Sequence, residues 1–448
     1  MKRLLVIGGG ISGLAAAWRA RSLSKTVEIT LLEKEDRLGG KILTESRDGF
    51  LLEAGADGFL SRKPAGIDLC NELGISSLLR GQVKRNVRSF VMQKHGLHTL
   101  PDGFTGLVPG NLHALEETAL LSEAGKLRGM QEPSVPPRAD KGDESVSRFM
   151  TRRFGKEVFE TLIEPLLAGI YAGDADCLSM KATLPRLLEL EWRTGSVLRG
   201  LSVPAPADLP PFVTFSGGMS QMVSEIRQRL VDVRLVTGTA AGRITRSGHA
   251  WLAGLAGGGE IEADSVIVAV PAGQAAPLFA GVDSTLGEAL SSIPFASTAI
   301  VHLGYHRHEI AHDLDGYGYV IPRIEGSDFS ACTWTSSKWE DRAPRGMALL
   351  RLYTRRRGSD NELQDLARAE LRQTMGIAAR PVLVRIFRWP EAMPQYTLEH
   401  PARLEVIESR CAGLEGMYLA GASYRGVGIP DCIESGSHAA RAAMESLL

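Results

Sequence analysis

The sequence has few cysteines, almost no net charge and no long apolar run. Its five cysteines among 448 residues (Cys70, Cys177, Cys332, Cys411, Cys432) are odd in number, scattered and never spaced as CxxC. That pattern argues against a disulfide framework or a cysteine-based zinc site, and for a reducing compartment. A formal net charge of −1 leaves no electrostatic footprint for nucleic acid. No stretch approaches the roughly eighteen consecutive apolar residues of a bilayer span. Lys2 and Arg3 before Leu4–Ile7 mimic the start of an export signal, but the apolar run breaks at Gly8. A run of that length is too short for a secretory core, so a cytoplasmic location is expected.

What is present describes a globular protein. Hydrophobic residues make up 44% of the chain and charged residues 23%, over a length with room for roughly three domain-sized units. The most informative stretch is Leu4–Ala17, where a short apolar strand breaks into glycines and the glycines open into an alanine-rich helix. Gly8, Gly10 and Gly13 fall on the GxGxxG spacing, with Gly9, Ile11 and Ser12 between them. Gly8 allows the tight turn, Gly10 lets the backbone approach a pyrophosphate, and Gly13 lets helix and strand pack closely. The helix N-terminus then offers free N–H groups and the positive end of its dipole.

Three neighbouring features strengthen this reading. The strand and helix flank the motif in the required order. A second strand, Val27–Leu32, leads to Glu33, placed to accept both hydrogen bonds of an adenosine ribose and to repel a ribose phosphate. Lys34 follows it, and Arg37-Leu38-Gly39-Gly40-Lys41 adds a second paired-glycine turn with flanking cations, which a plain NAD dehydrogenase has no need of. Further on, Gly49–Phe59 reads as a strand entering the small-residue loop Gly55-Ala56-Asp57-Gly58, suited to close approach of a flat ligand.

A helix is expected over Pro64–Leu73, a hairpin over Arg88–Leu100, and a helical region from Asn111 to about Arg199. There Leu115–Leu127 marks one amphipathic face and Ser145–Ala168 another stretch, with the Pro-rich Glu132–Pro137 between them. Pro204–Pro211 reads as a linker. A helix to Leu230, then strands at Val233–Val236, Gly242–Thr245, Ala250–Leu255 and within Ile261–Pro271, bring the chain back to the nucleotide-binding sheet. A strand-rich region follows, with a helix near Asn361–Thr374. Gly416–Ala422 and Gly426–Leu448 then repeat the strand, turn and helix of the opening. His302, His306, His308 and His312 fit neither strand alternation nor one helical face, so no metal is assigned. The cluster of Arg351, Arg355, Arg356 and Arg357 is read as a solvated face.

Taken together, Gly8–Gly13, Arg37–Lys41, Glu164–Asp174, Met393-Pro394-Gln395-Tyr396 and Gly426–Ile433 make the whole chain resemble the oxygen-dependent porphyrinogen oxidases. These are the protoporphyrinogen and coproporphyrinogen III oxidases of haem biosynthesis. The resemblance implies FAD and an α/β fold. That fold has a Rossmann-like FAD domain of the amine-oxidase/p-hydroxybenzoate-hydroxylase type, a mixed α+β substrate domain and a helical insert. In this chain the FAD domain would comprise residues 1–83, 212–272 and 397–448, the substrate domain 84–110 and 273–396, and the insert 111–199. By the same resemblance, Gly8–Gly13 and Glu33 hold the ADP half, while Gly40, Lys41 and Gly55–Gly58 lie along the pyrophosphate and flavin. Ala241 meets the adenine through its backbone, Trp389 and Val427-Gly428-Ile429 close on the flavin ring, and Gly421 ends the last strand. Many relatives carry an acidic residue after that glycine; here it is Ala422, which leaves the contact to backbone groups.

The chemistry implied is removal of six electrons and six protons from a porphyrinogen, as three hydride transfers to flavin N5 with O2 as acceptor and H2O2 as product. No residue stands out as a dedicated base. Arg62, Lys63 and Arg88 are candidate anchors for propionates, which call for cations, and Ile170 and Tyr353 match positions lining the substrate slot. Cys332–Thr335 and Gly428–Cys432 resemble the bacterial branch that acts before haem-chain decarboxylation, and that resemblance implies coproporphyrinogen III as substrate. Protoporphyrinogen IX stays open, as do, more distantly, an amine oxidase, a desaturase or a flavin-binding protein without turnover. Peripheral contact of the insert with the inner face of the membrane and hand-over of product to a ferrochelatase also stay open, and no oligomeric state is indicated.

Overall fold

The computed structural model describes residues 1–83, 88–201 and 209–448. Residues 204–208 of the expected Pro204–Pro211 linker lie outside the described residues. Five strands form a wholly parallel sheet in the spatial order Val233–Val236, Glu28–Leu32, Arg3–Ile7, Ser265–Val268, Met417–Leu419. Near-continuous apolar strands such as Leu4–Ile7 are what a sheet buried on both faces demands. Leu4 and Val6 join a core with the helices Ile11–Leu23 and Ile429–Leu447. Leu5 and Ile7 point to the other side, against the antiparallel strands Ala241–Ser247, Ala250–Leu255 and Glu260–Ala263.

A second sheet takes five strands from between the last two strands of the first and two, Arg88–Gln93 and Gly96–Thr99, from earlier in the chain. Its order is Leu383–Pro394, Phe295–His306, Met347–Thr354, Phe329–Trp334, Gly316–Val320, Arg88–Gln93, Gly96–Thr99. The two faces differ. Val301, Leu303, Leu350 and Leu352 pack on the helix Asp360–Met375 through Leu363, Ala367 and Leu371. That helix starts in a Ser359/Glu362 capping box and stops at Gly376, in the left-handed region. Period-two alternation sends the intervening residues the other way: His302 pairs in register with Arg351 and Arg385, and Ile300 with Tyr353 and Phe387. This polar and aromatic face meets the first domain.

The helical region departs from expectation in detail. Leu115–Leu127 is two short helices, His113–Glu116 and Glu123–Met130, because Thr118 and Ser122 take backbone N–H groups and start a new helix at Ser122. The stretch Ser145–Ala168 breaks at Gly155 (φ +91) and resumes through a π-helical turn at Phe159–Ile163. The expected strand within Ile261–Pro271 is divided: Glu260–Ala263 stays in the antiparallel layer and only Ser265–Val268 joins the parallel sheet.

The Pro-rich Glu132–Pro137 is pinned by a buried ion pair. Arg153 and Glu132 are both fully buried. Arg153 Nε donates to Glu132 Oε1 at 2.6 Å, and the same carboxylate accepts from Ser196 Oγ (2.5 Å) and Val197 N–H (2.9 Å). Glu191 approaches Arg153 at 3.3 Å and also pairs with Arg152. Arg153→Met, which strands the Glu132 charge, is expected to lower unfolding stability by about 3–5 kcal/mol. Adding Glu132→Gln, which keeps the helix-capping acceptor without the charge, is expected to restore part of that loss. Urea denaturation of the three proteins checks both.

Candidate active site

The candidate residues gather at the carboxyl ends of the parallel strands, where ligands of open α/β sheets bind in a crevice. Gly8 donates its N–H to Leu32 O at 2.7 Å, closing the first turn on the second strand. Gly13 packs so closely that a Cβ there would lie 1.8 Å from Gly8 O, whereas a Cβ on Gly10 would meet nothing within 4 Å. Gly10 is also the N-cap of Ile11–Leu23, with no side chain capping the free N–H groups and no acidic residue in the first turn. An uncapped helix N-terminus above an open space suits a phosphate, so the residues present fit a dinucleotide.

Glu33 is buried at the end of the second strand. Its carboxylate accepts Gly9 N–H at 2.6 Å and Glu35 N–H at 2.9 Å, which fixes it beside the turn. Gly39 N–H bonds Gly9 O at 2.8 Å, laying the second glycine turn against the first. Arg37 holds that turn from outside, donating to Gly40 O at 2.7 Å. The half-buried Lys41 ammonium donates to Ala392 O, and burial lowers its pKa. Ala241 begins the strand that follows Thr239, whose N–H reaches Glu33 O at 3.0 Å. Gly421 sits on the wall formed by the last strand, its N–H held by Ser435 Oγ at 2.9 Å. A Cβ on Gly436 would fall 2.0 Å from Ser12 O, so the first and last helices touch backbone to backbone. Gly428 caps the last helix ahead of Ile429, and Val427 packs toward the helical core.

The loop Gly55–Gly58 lies against the second turn, where a Cβ on Gly55 would be 2.2 Å from Lys41 O. Ala56 is exposed at its tip. Asp57 accepts from Lys338 Nζ (3.0 Å) and Trp339 Nε1 (3.0 Å); against the opposing effect of burial, the charges of Lys338 and Arg351, helped by the indole hydrogen bond, hold its carboxyl well below the usual range. Trp389 Nε1 donates to Ala54 O at 2.5 Å. Tyr353 sits on the facing sheet, 3.2 Å from Thr333 Oγ1 through its hydroxyl, and burial raises its pKa.

The other candidates are more dispersed. Lys63 bonds both oxygens of Asp431, at 2.6 and 2.7 Å, and Asp431 also accepts Gly428 N–H at 3.0 Å. Arg62 is exposed beside it. Arg88 is mostly solvent-facing and pairs with Asp315 at 3.1 Å, and Lys34 is turned to solvent near Glu35. Ile170 is an exposed apolar side chain on the helix Glu164–Tyr171.

The sequence singles out His302 only as a candidate metal ligand, places Arg351 on a solvated face and gives no sign of Lys338; the structure instead buries Arg351 fully, leaving Arg355, Arg356 and Arg357 exposed. His302 is fully buried, its Nε2 lies 3.0 Å from Glu53 O, and burial pulls its pKa down to about 3. It is therefore a neutral hydrogen-bonding group. Among the described residues no group of three His, Cys, Asp or Glu could hold a metal, and no helix is long and apolar enough to cross a membrane. A usable signal for Arg351 was its place as the lone charge in the apolar strand Met347–Tyr353.

Comparison with known proteins agrees with this geometry. Residues 11–444 match the family model described as flavin containing amine oxidoreductase. The coproporphyrinogen III oxidase of Bacillus subtilis (strain 168) is 35% identical, over 100% of this chain and 98% of the relative. The chloroplastic protoporphyrinogen oxidase of Nicotiana tabacum is 30% identical, over 96% of this chain and 83% of that protein. A crystal structure from Exiguobacterium sp. 255-15, named provisionally as a protoporphyrinogen oxidase, superposes with a TM-score of 0.87 at 31% identity, covering 99% of each chain. Reduced UDP-galactopyranose mutase shares the fold, with a TM-score of 0.76 at 17% identity over 99% of this chain and 96% of that one. The chain belongs to the flavin-containing amine oxidoreductase family, in the branch that holds the porphyrinogen oxidases.

Proposed function

We propose that this protein uses FAD to oxidise coproporphyrinogen III to coproporphyrin III, with O2 as the electron acceptor. The observation that carries the reading is the likeness to a coproporphyrinogen III oxidase along the whole chain. The dinucleotide turn supports it, as does the sheet face shared by Ile300, Tyr353, Phe387 and Trp389, from which Trp389 reaches the loop at Ala54. In this reading Gly8–Gly13 and Glu33 hold the ADP half of FAD, and Lys41, Gly55–Gly58 and Val427–Ile429 hold the rest. Bound flavin supplies two-electron hydride acceptance, so six electrons require three rounds, each returning two electrons to O2 as H2O2.

The chain's own part is to bind and orient. The aromatic and aliphatic wall suits a flat, apolar macrocycle, and it excludes water from the reacting carbon. Tyr353 stays protonated at neutral pH, because its pKa is raised by burial, and so serves as a hydroxyl rather than a base. Lys63 meets substrate carboxylates in competition with Asp431, which already holds its ammonium.

The direct test is porphyrin fluorescence appearing in air when the FAD-loaded protein meets each porphyrinogen. Faster turnover of coproporphyrinogen III is expected; a marked preference for protoporphyrinogen IX would transfer the reading to that substrate, and no reaction with either would overturn it. Lys63→Met is expected to raise KM about tenfold with little change in kcat, the loss of one charge-assisted hydrogen bond. Asp431→Asn is expected to lower KM, since it frees the ammonium while keeping an acceptor for Gly428 N–H. Steady-state kinetics separates the two. For the cofactor, Gly10→Ala is expected to cost the apoprotein about 1 kcal/mol or less, yet to weaken FAD retention. Gly13→Ala, which drives a methyl into Gly8 O, is expected to impair folding itself. Thermal melts with and without FAD distinguish these outcomes.

A further inference from the structure

Three consecutive peptide carbonyls beside the crevice are each held by a side chain from the second domain. Glu53 O lies 3.0 Å from His302 Nε2, Ala54 O accepts from Trp389 Nε1 at 2.5 Å, and Gly55 O accepts from the Arg351 guanidinium. All three donors project from one face of the seven-stranded sheet, where His302 and Arg351 are register partners and Trp389 pairs with Thr298. Two residues on, Asp57 is tied to the same face through Arg351, and to the helix Thr335–Lys338 and its C-cap through Lys338 and Trp339. The contacts cross separations of 249 to 335 residues.

Two consequences follow from peptide geometry. In a trans peptide the N–H points opposite to the C=O, and the described residues contain no cis bond. The N–H groups of Gly55 and Ala56 therefore point away from Trp389 and Arg351, and neither has an acceptor among the described residues. A cation bonded to the carbonyl side also polarises its peptide and makes the opposite N–H a stronger donor. Underneath, Arg351 is fully buried and Lys338 largely so, and both lie against Asp57, with the Lys338 ammonium 3.0 Å and the Arg351 guanidinium 3.8 Å from its carboxylate, two cations to one anion.

We propose that His302, Trp389 and Arg351 are positioning residues for the flavin. They hold the Glu53–Gly55 carbonyls so that the Gly55 and Ala56 N–H groups and the buried positive charge favour the reduced, more negative cofactor. This rests on the reading that FAD lies along Gly55–Gly58. The second domain thus sets the cofactor's potential as well as the shape of the substrate wall.

The test uses the full-length protein loaded with FAD, with its two-electron midpoint potential and visible spectrum as readouts. Arg351→Met is expected to weaken binding of reduced relative to oxidised FAD about tenfold, a fall in midpoint of about 30 mV for a two-electron couple. Arg351→Lys, which keeps the charge, is expected to recover most of that shift. Trp389→Phe removes the donor to Ala54 O while keeping an aromatic ring in its place, and is expected to shift the flavin absorbance band and lower the midpoint as Arg351→Met does. It keeps the proposal testable if Arg351→Met fails to fold. Arg388→Met, which removes an exposed partner of Asp360, serves as the control and is expected to leave both readouts unchanged. If Arg351→Met or Trp389→Phe holds FAD with the wild-type midpoint and spectrum, the clamp is overturned while the FAD reading stands. If the wild-type protein binds no FAD, both fall.

Discussion

Backbone touching backbone is the constraint on which this structure depends. At Gly13 against Gly8, and at Gly436 against Ser12, the first helix approaches its own turn and the last helix more closely than any Cβ would allow. The first contact shapes the dinucleotide turn, and the second brings the last helix to the same crevice. Gly55 against Lys41 adds the loop that forms a further wall. A side chain at any of these points would separate layers whose apolar faces are already matched, and the loss would spread through the core rather than stay local.

The polar contacts then fix what the close approaches leave free. Glu33 binds the turn to the second strand through two N–H groups, and Asp57 binds the loop to the second sheet through Lys338 and Trp339. Each is a buried or largely buried carboxylate with directional partners, which makes it costly to lose one side alone. The same logic operates far from the crevice at Glu132 and Arg153, where a proline-rich segment is made part of the helical core.

Much of the first domain was legible because its signals are local. The glycine spacing, the strand before it and Glu33 twenty residues on all lie within a single βαβ unit, and the Gly416–Leu448 segment repeats the pattern. The edge strand Leu383–Pro394 was harder to see, because Arg385, Arg388, Pro390 and Glu391 blur its alternation and its pairing with Phe295–His306 supplies what the pattern lacks. Leu115–Leu127 carries helical periodicity, yet the hydroxyls of Thr118 and Ser122 redirect the backbone, a local competition that the apolar pattern hides. Lys63 looked like a free cation because Asp431 is 368 positions away. His302, one of four scattered histidines, was considered only as a metal ligand, and its carbonyl partner at Glu53 is equally remote in sequence.

The parallel sheet has a temporal side. Ser265–Val268 waits for Met417–Leu419 across roughly 150 residues, and during synthesis the whole second sheet must emerge before that neighbour exists. Until then an apolar, fully paired-to-be strand carries an open edge on the ribosome, a template for wrong partners. The edge of Ser265–Val268 thus stays open until Met417–Leu419 emerges, and the wall that the last strand adds to the site cannot form before then.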